Sequence, residues 1–481
     1  MPADVALIIT CHEPYLPWLR EALASVERQF PRPAETVIVF DGCTPPAYVS
    51  HAWRCITGNW GHPSAGRNAG MTVTTAPWLV FLDADNVVPD GYLFAVQRAI
   101  SCISLDVGIV YPDIQYSDEA LRPKKLWKMP PWDYWGMRRQ NCVDTSSAWR
   151  REALELVGGW PLGEYGAHED YALALGITAA GWKAVRLDGP ALLMREHDHG
   201  RLQKRRQEQG ILTDVWRVRS LGILSLLAGR TSTLDRWKRF LLTAELPPKT
   251  GLYVVDNSGD SNFTRRIYQT CVLIASQRRL THFDIAVTGR PYKPDSFEPY
   301  LTKRRHLHVA QLYAAALPRI TEDLVLTLED DVEPPPDAVR SLGEEIGYPS
   351  RGNIGVVAAA YSMPEWEGYT CAGWGPEGWG DSVSWQELPA EPFDVACVGG
   401  GCAMWANWAL RECVVHVQWH LKLGWDGVLC AALRSKGYRV RLHGGVRCLH
   451  HCHGLVQNGA GSSSSIAIRP REEPPRRPVR L

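Results

Sequence analysis

At 481 residues the chain is too long for one ordinary hydrophobic core, so two or three domains are expected. Lys plus Arg and Asp plus Glu number 52 each, which excludes a chain-wide polyelectrolyte partner and leaves any nucleic-acid surface to be a local one. No run approaches the roughly 18 apolar residues that span a bilayer, and the amino terminus enters a strand without a leader pattern. A soluble cytoplasmic protein without a membrane span is expected, with its 13 scattered cysteines reduced.

In chain order, Val5 to Thr10 is an apolar β-branched strand, and Leu19, Leu23 and Val26 mark a following helix. Thr36 to Phe40 is a second strand, ending at Asp41 beside Gly42. Strand, helix and strand make a parallel βαβ unit the economical topology. Asp41 could hydrogen-bond a nucleotide base or ribose from the strand end, or could simply form the turn. A glycine-rich stretch follows, Gly61-His-Pro-Ser-Ala-Gly-Arg-Asn-Ala-Gly70, read as a loop in which Arg67 could meet a phosphate or base and Asn68 ties the backbone. It leads into Leu79-Val-Phe-Leu, a buried strand that ends in Asp83-Ala-Asp85-Asn86. Carboxylates two apart at the carboxyl end of a strand can share a hard cation, Mg²⁺ or Mn²⁺, with the phosphates of a substrate.

Taken together, these pieces resemble the inverting family 2 glycosyltransferases with the GT-A fold: a strand-end Asp, a Gly-x-x-x-x-Gly-Arg-Asn-x-Gly stretch, then Leu-Asp-Ala-Asp. The resemblance continues through Asn141-Cys-Val-Asp-Thr-Ser-Ser-Ala-Trp-Arg-Arg151, Gly158-Gly-Trp-Pro161 and His168-Glu-Asp-Tyr171. It implies that Asp83 contacts the ribose of a nucleotide-sugar donor, a UDP-sugar foremost, while Asp85 reaches a Mn²⁺ or Mg²⁺ ion. It also implies that Asp170 is the general base for the acceptor hydroxyl, with Glu169 beside it. A late Arg-x-His segment, Arg195-Glu-His-Asp-His199, offers His197 as a further metal ligand, with His199 second.

The pattern then recurs. Leu221 to Leu227 and Gly251 to Asp256 read as strands, with Leu234 to Leu242 a helix between them. Leu324-Val-Leu-Thr-Leu-Glu-Asp-Asp puts Glu329 and Asp331 in the places of Asp83 and Asp85, and Asp256 matches Asp41. Asp426 corresponds to Asp170, with Trp425 in place of Glu169. Lys303-Arg-Arg-His-Leu-His308 stands where the Gly-Arg-Asn stretch is expected. His450 is the late metal candidate, although Cys448-Leu-His-His-Cys-His453 could instead hold zinc. The expected organisation is α/β with two tandem GT-A domains, 1–200 and a divergent 219–455, joined by a helical connector at 201–218. A mobile Pro/Arg/Ser-rich tail, 456–481, follows.

The second half is expected to be either a second transferase, adding a successive sugar, or an acceptor-holding relic. For the acceptor the sequence leaves a glycan or polysaccharide open beside a second class. Arg122-Pro-Lys-Lys-Leu-Trp-Lys128 and Pro131-Trp-Asp-Tyr-Trp-Gly-Met-Arg-Arg139 interleave cations with aromatics, as single-stranded nucleic acid would require. That pattern suits a viral-type enzyme, in host cytoplasm, that glycosylates hydroxymethylated DNA bases. A non-catalytic carbohydrate-binding protein is the third class.

Overall fold

The computed structural model describes residues 4–49, 53–163, 168–197, 215–288, 303–346, 353–362, 369–373, 382–414, 424–452 and 455–457. The first ten strands are β1 (Val5–His12), β2 (Glu35–Asp41), β3 (Arg54–Gly58), β4 (Trp78–Asp83), β5 (Val107–Tyr111), β6 (Ile114–Ser117), β7 (Pro123–Trp127), β8 (Ala148–Arg150), β9 (Lys183–Arg186) and β10 (Leu192–Arg195). Seven of them form one sheet in the order β3-β2-β1-β4-β8-β5-β9, with β8 alone running antiparallel to its neighbours. Both faces are covered. Ala6 and Ile8 of β1 enter one hydrophobic core while Val5, Leu7 and Ile9 enter the other, so β1 reads as a continuous apolar run rather than an alternating one.

The stretch expected to be a loop, Gly61 to Gly70, is largely the helix α2 (Pro63–Thr72), which follows α1 (Leu16–Glu27) in chain order. His62 Nδ1 accepts from the Ser64 amide at 3.2 Å and Pro63 supplies the first turn, a start signal that outweighs the low helix propensity of glycine. The glycine at 70 is needed for close packing, because a Cβ there would lie 2.4 Å from Ile8 Cγ2. Three further helices, α3 (Tyr92–Cys102), α4 (Tyr134–Arg139) and α5 (Arg151–Leu156), precede α6 (Glu169–Ala179). A small sheet, β10-β6-β7, lies beside the main one and leads from β10 toward His197.

The second half repeats this plan. Its strands β11 (Leu221–Leu227), β12 (Thr250–Asp256), β13 (His282–Val287) and β14 (Leu324–Leu328) are parallel in the order β13-β12-β11-β14. Next come an antiparallel Cys402–Ala406, then Ile354–Ala360 and Arg439–Arg447, matching the first sheet strand for strand, and an extra edge strand Pro392–Asp394. Among the described residues no helix is long and apolar enough to cross a membrane.

Helix α4 joins the halves. Arg138, with no exposed surface, donates through Nε to Asp323, which is equally buried, and through Nη1 to Thr178 Oγ1 at 3.0 Å. Arg219 donates to the Arg138 carbonyl at 2.8 Å and to Tyr171 Oη at 3.1 Å. Trp135 packs against the second core. The segment 131–139, expected to face an acceptor, is therefore in large part an internal joint.

Candidate active site

The parallel strands bring Asp41 and Asp83 to one sheet edge, because β2, β1 and β4 are in register there: His12 lies opposite Asp41, and Thr10 opposite Asp83. Asp41 Oδ1 accepts the amides of Trp60 at 2.6 Å and Gly61 at 3.1 Å, so one of its oxygens holds the turn. Arg67, 5% exposed on α2, donates to both oxygens of Asp83, at 2.9 and 3.1 Å, and Thr10 Oγ1 adds a bond of 2.7 Å. Burial would raise the Asp83 pKa, but Arg67 and Thr10 outweigh it and hold the carboxyl below its usual range. Arg67 is thus turned onto Asp83 rather than into space for a phosphate. Asn68 ties α2 to the Gly158-Gly-Trp-Pro161 segment, donating to the Trp160 carbonyl at 2.9 Å and accepting its amide at 2.8 Å.

Asp85 is arranged differently. Its Oδ2 lies 3.0 Å from His197 Nε2, while Oδ1 is buried with no hydrogen-bond partner among the described residues. His197 is held between Trp18, at 4.1 Å between ring centroids, and Tyr15, at 5.6 Å. Arg195 fixes the segment by donating to the Asp85 carbonyl at 2.9 Å. Burial first, then the charge of Asp83, raises the Asp85 pKa against the opposing bond from His197. A buried, unpaired carboxylate oxygen beside an imidazole is costly unless something positive meets it. The pair fits a divalent ion that completes its shell with phosphate and water oxygens, as such ions do when one or two protein groups hold them. Among the described residues no group of three or more His, Cys, Asp or Glu is arranged to hold a metal ion. His199 lies outside the described residues.

Glu169 and Asp170 open α6. Burial raises the Asp170 pKa well above the carboxylate range, and the negative charges of Asp144 and Glu169 add to it, against a bond from the Tyr171 amide. Asp144 is itself pushed to about 6, by burial and then by Asp83. Asp144 lies inside the Asn141–Arg151 segment but carried no signal of its own. Its importance follows from where β8 begins.

The second edge is built on the same strands with other side chains. Asp256 is fully buried and spent on the Ser258 amide, at 2.9 Å, and the Thr264 hydroxyl. Glu329 is driven to about 8 by burial and by Asp331, Asp426 and Asp330. Tyr313 precedes Glu329 by 16 positions, as Arg67 precedes Asp83, and it stacks on Trp425 at 3.6 Å. Asp331 and His450 were expected to hold a metal; they stand 3.9 Å apart, but Arg230 occupies the carboxylates, donating to Asp331 Oδ2 at 2.9 Å and to Asp330 Oδ1 at 3.0 Å. With a guanidinium already there, these residues do not fit a divalent ion. His450 Nδ1 lies 2.6 Å from the Ser362 carbonyl and His451 Nε2 2.8 Å from Glu333, while Cys448 is buried beside Cys402. The residues of the alternative zinc cluster are split among separate partners, and His453 lies outside the described residues.

Asp426 opens the helix Gly424–Ser435, as Asp170 opens α6, and accepts the amides of Gly400 at 3.0 Å and Gly427 at 2.9 Å. Trp78 pairs with Arg150 and Leu324 with Ala406, which places Gly400 where the first sheet has Asp144. With a backbone donor in place of a carboxylate, Asp426 is raised by burial only to about 6.

Residues 6–157 match the Glycosyl transferase family 2 model. This region is a family 2 glycosyltransferase domain. Solved structures match the chain at low likeness. The S. aureus TarS 1–349 complex with UDP-GlcNAc is 14% identical with a TM-score of 0.35, over 45% of this chain and 64% of that one. The mannosyltransferase PcManGT from Pyrobaculum calidifontis, in complex with GDP-Man and Mn²⁺, is 19% identical with a TM-score of 0.32, over 42% and 59%. Against S. aureus TarS the match spans 37% of that chain. No curated protein matches the chain. The family match includes Asp41, Arg67, Asp83, Asp85 and Asp144 but stops before Glu169, Asp170 and His197, and it does not reach the second edge.

Proposed function

We propose that the first edge is a metal-dependent, inverting glycosyltransferase site that moves a sugar from a nucleotide-diphosphate donor, a UDP-sugar foremost, to an acceptor hydroxyl. The observation that carries it is the Asp85–His197 pair with its one unsatisfied carboxylate oxygen, next to an Asp83 already neutralised by Arg67. Asp85 and His197 would hold Mn²⁺ or Mg²⁺. Such an ion, when bound, neutralises charge that develops on the leaving diphosphate. Asp170 takes the proton as the acceptor oxygen bonds to the sugar C1 and the C1–O bond to phosphate breaks. Its raised pKa suits that work, since a base is most effective near the working pH. Glu169 supports it from the same helix start.

The acceptor is proposed to be a carbohydrate. A second reading, DNA carrying hydroxymethylated bases, is favoured by the β6–β7 hairpin, whose residues from Arg122 to Leu126 are exposed. Trp127 stacks with Tyr116 at 6.3 Å, and among the described residues Lys125 and Lys128 have no carboxylate at ion-pair distance.

Calorimetry of UDP and GDP binding with Mn²⁺ tests the site. Asp85→Asn should abolish the Mn²⁺-dependent part of binding. Asp170→Asn should keep it while turnover falls by a factor on the order of 10² or more. Unchanged Mn²⁺-dependent affinity in Asp85→Asn would remove the claim. Mass spectrometry of products on glycans and on hydroxymethylcytosine DNA decides the acceptor.

A further inference from the structure

The two edges share a backbone and differ in where positive charge meets the strand-end carboxylates. In the first, the guanidinium of Arg67 covers Asp83 and leaves an oxygen of Asp85 open. In the second, Tyr313 stands at the Arg67 position, and Arg230, immediately before the helix Thr231–Thr243, covers Asp330 and Asp331 instead. Glu329 and Asp426 are left partly exposed, facing each other's charge. Among the described residues Arg230 is the one Lys or Arg at ion-pair distance from the four carboxylates Glu329, Asp330, Asp331 and Asp426. The Tyr313 hydroxyl points into this group: it is fully buried, has no hydrogen-bond partner among the described residues, and feels the charge of all four carboxylates.

We propose that the second edge, around Glu329, Tyr313 and Asp426, binds an uncharged, hydroxyl-rich ligand, a neutral oligosaccharide, and takes neither a divalent ion nor a nucleoside diphosphate. With Glu329 raised to about 8 and so largely protonated at neutral pH, the three aspartates against one guanidinium still repel a diphosphate, and the ion that would reverse this repulsion in the first edge has its place filled by Arg230. Carboxylate oxygens and a phenol are, by contrast, good partners for sugar hydroxyls, and a buried hydroxyl without a partner is costly until a ligand supplies one. The exchange of Asp144 for Gly400 agrees, since it removes the carboxylate that lifts Asp170 and gives Asp426 a fixed amide partner. The assignment deepens the transferase reading: the first edge handles the donor, and the second holds the glycan.

Two measurements on the full chain test it separately from the first edge. Bound Mn²⁺ is counted in the presence of excess UDP or GDP. Wild type and Asp331→Asn should each bind one ion per chain, and Asp85→Asn none. Two ions in wild type, falling to one in Asp331→Asn, would overturn the proposal. No ion in wild type would sink the donor reading of the first edge and leave the second measurement to judge the second edge. In that measurement the Asp85→Asn chain is applied to an array of neutral oligosaccharides and should be retained. Tyr313→Phe should weaken retention by about tenfold. Glu329→Ala, at a partly exposed position, serves if Tyr313→Phe does not fold, and should weaken it likewise. An array that retains nothing, or retention unchanged in the folded variants, overturns the proposal.

Discussion

Replacing Asp323 by Asn removes the one charge that balances Arg138 where neither side chain has any exposed surface. The guanidinium keeps its bonds to Thr178 and the Tyr134 carbonyl, at 3.0 and 3.3 Å, but becomes an uncompensated buried cation. Breaking a buried pair from one side costs about 3–5 kcal/mol. For cooperative units of some 150–250 residues, 1 kcal/mol moves the melting temperature by about 2–4 °C, so a fall of roughly 6–20 °C is expected by scanning calorimetry. The control is the double variant Arg138→Met/Asp323→Leu. Replacing a buried pair by apolar side chains of similar volume is often close to neutral. Its melting temperature should therefore return toward wild type. An Asp323→Asn chain that melts within about 2 °C of wild type would refute the reasoning. A double variant no better than the single one would locate the cost in lost packing rather than in unpaired charge.

Asp144→Asn removes one of the negative charges that raise Asp170, so the acidic limb of kcat/KM against pH should move to lower pH, with Asp170 still held up by burial. A limb that stays put or moves up contradicts this account. The same variant has a stability signature. Asp144 titrates at about 6 in the fold against about 4 when unfolded, so the native state holds its proton more tightly. That contribution is fully present below about pH 4 and lost as the pH rises to about 6. Asp144→Asn should flatten this part of the stability profile in urea titrations. Gly70→Ala places a methyl 2.4 Å from Ile8 Cγ2, and overpacking of about 1–3 kcal/mol should exceed the roughly 1 kcal/mol gained in helix propensity. Urea unfolding should show a net loss, and a more stable variant would mean that α2 can slide on the sheet.

The strand ends were legible because an apolar run that stops at a carboxylate has few other meanings in a parallel sheet: Asp41, Asp83 and Glu329 all stand at the edges so expected. Helix α2 was missed because glycine count argues for a loop, whereas here Gly70 serves close packing on β1 and a histidine cap starts the helix. The 131–139 segment was misjudged for a different reason. Cations among aromatics look the same whether they await a ligand or a carboxylate 185 positions away, and local pattern cannot show Asp323. Tyr313 and Arg230 were invisible for the converse reason. Neither resembles what it replaces, and only the shared 16-residue spacing and the common strand plan line them up.

The stacked pair Tyr313 and Trp425 limits which substitutions the second edge can accept. A Cβ at Gly400 would lie 2.1 Å from Trp425 Cζ2, so position 400 takes no aspartate while the tryptophan keeps this place. Trp425 in turn lies flat against Tyr313, and an arginine restored at 313 would lose that face-to-face contact and meet Arg230 already pairing with the neighbouring acids. Positions 313, 400 and 425 are thus mutually locked, and no single substitution leads back to the arrangement of the first edge. Giving the second edge the side chains of the first would take concerted changes at all three positions, since each change made alone meets a clash or loses a contact.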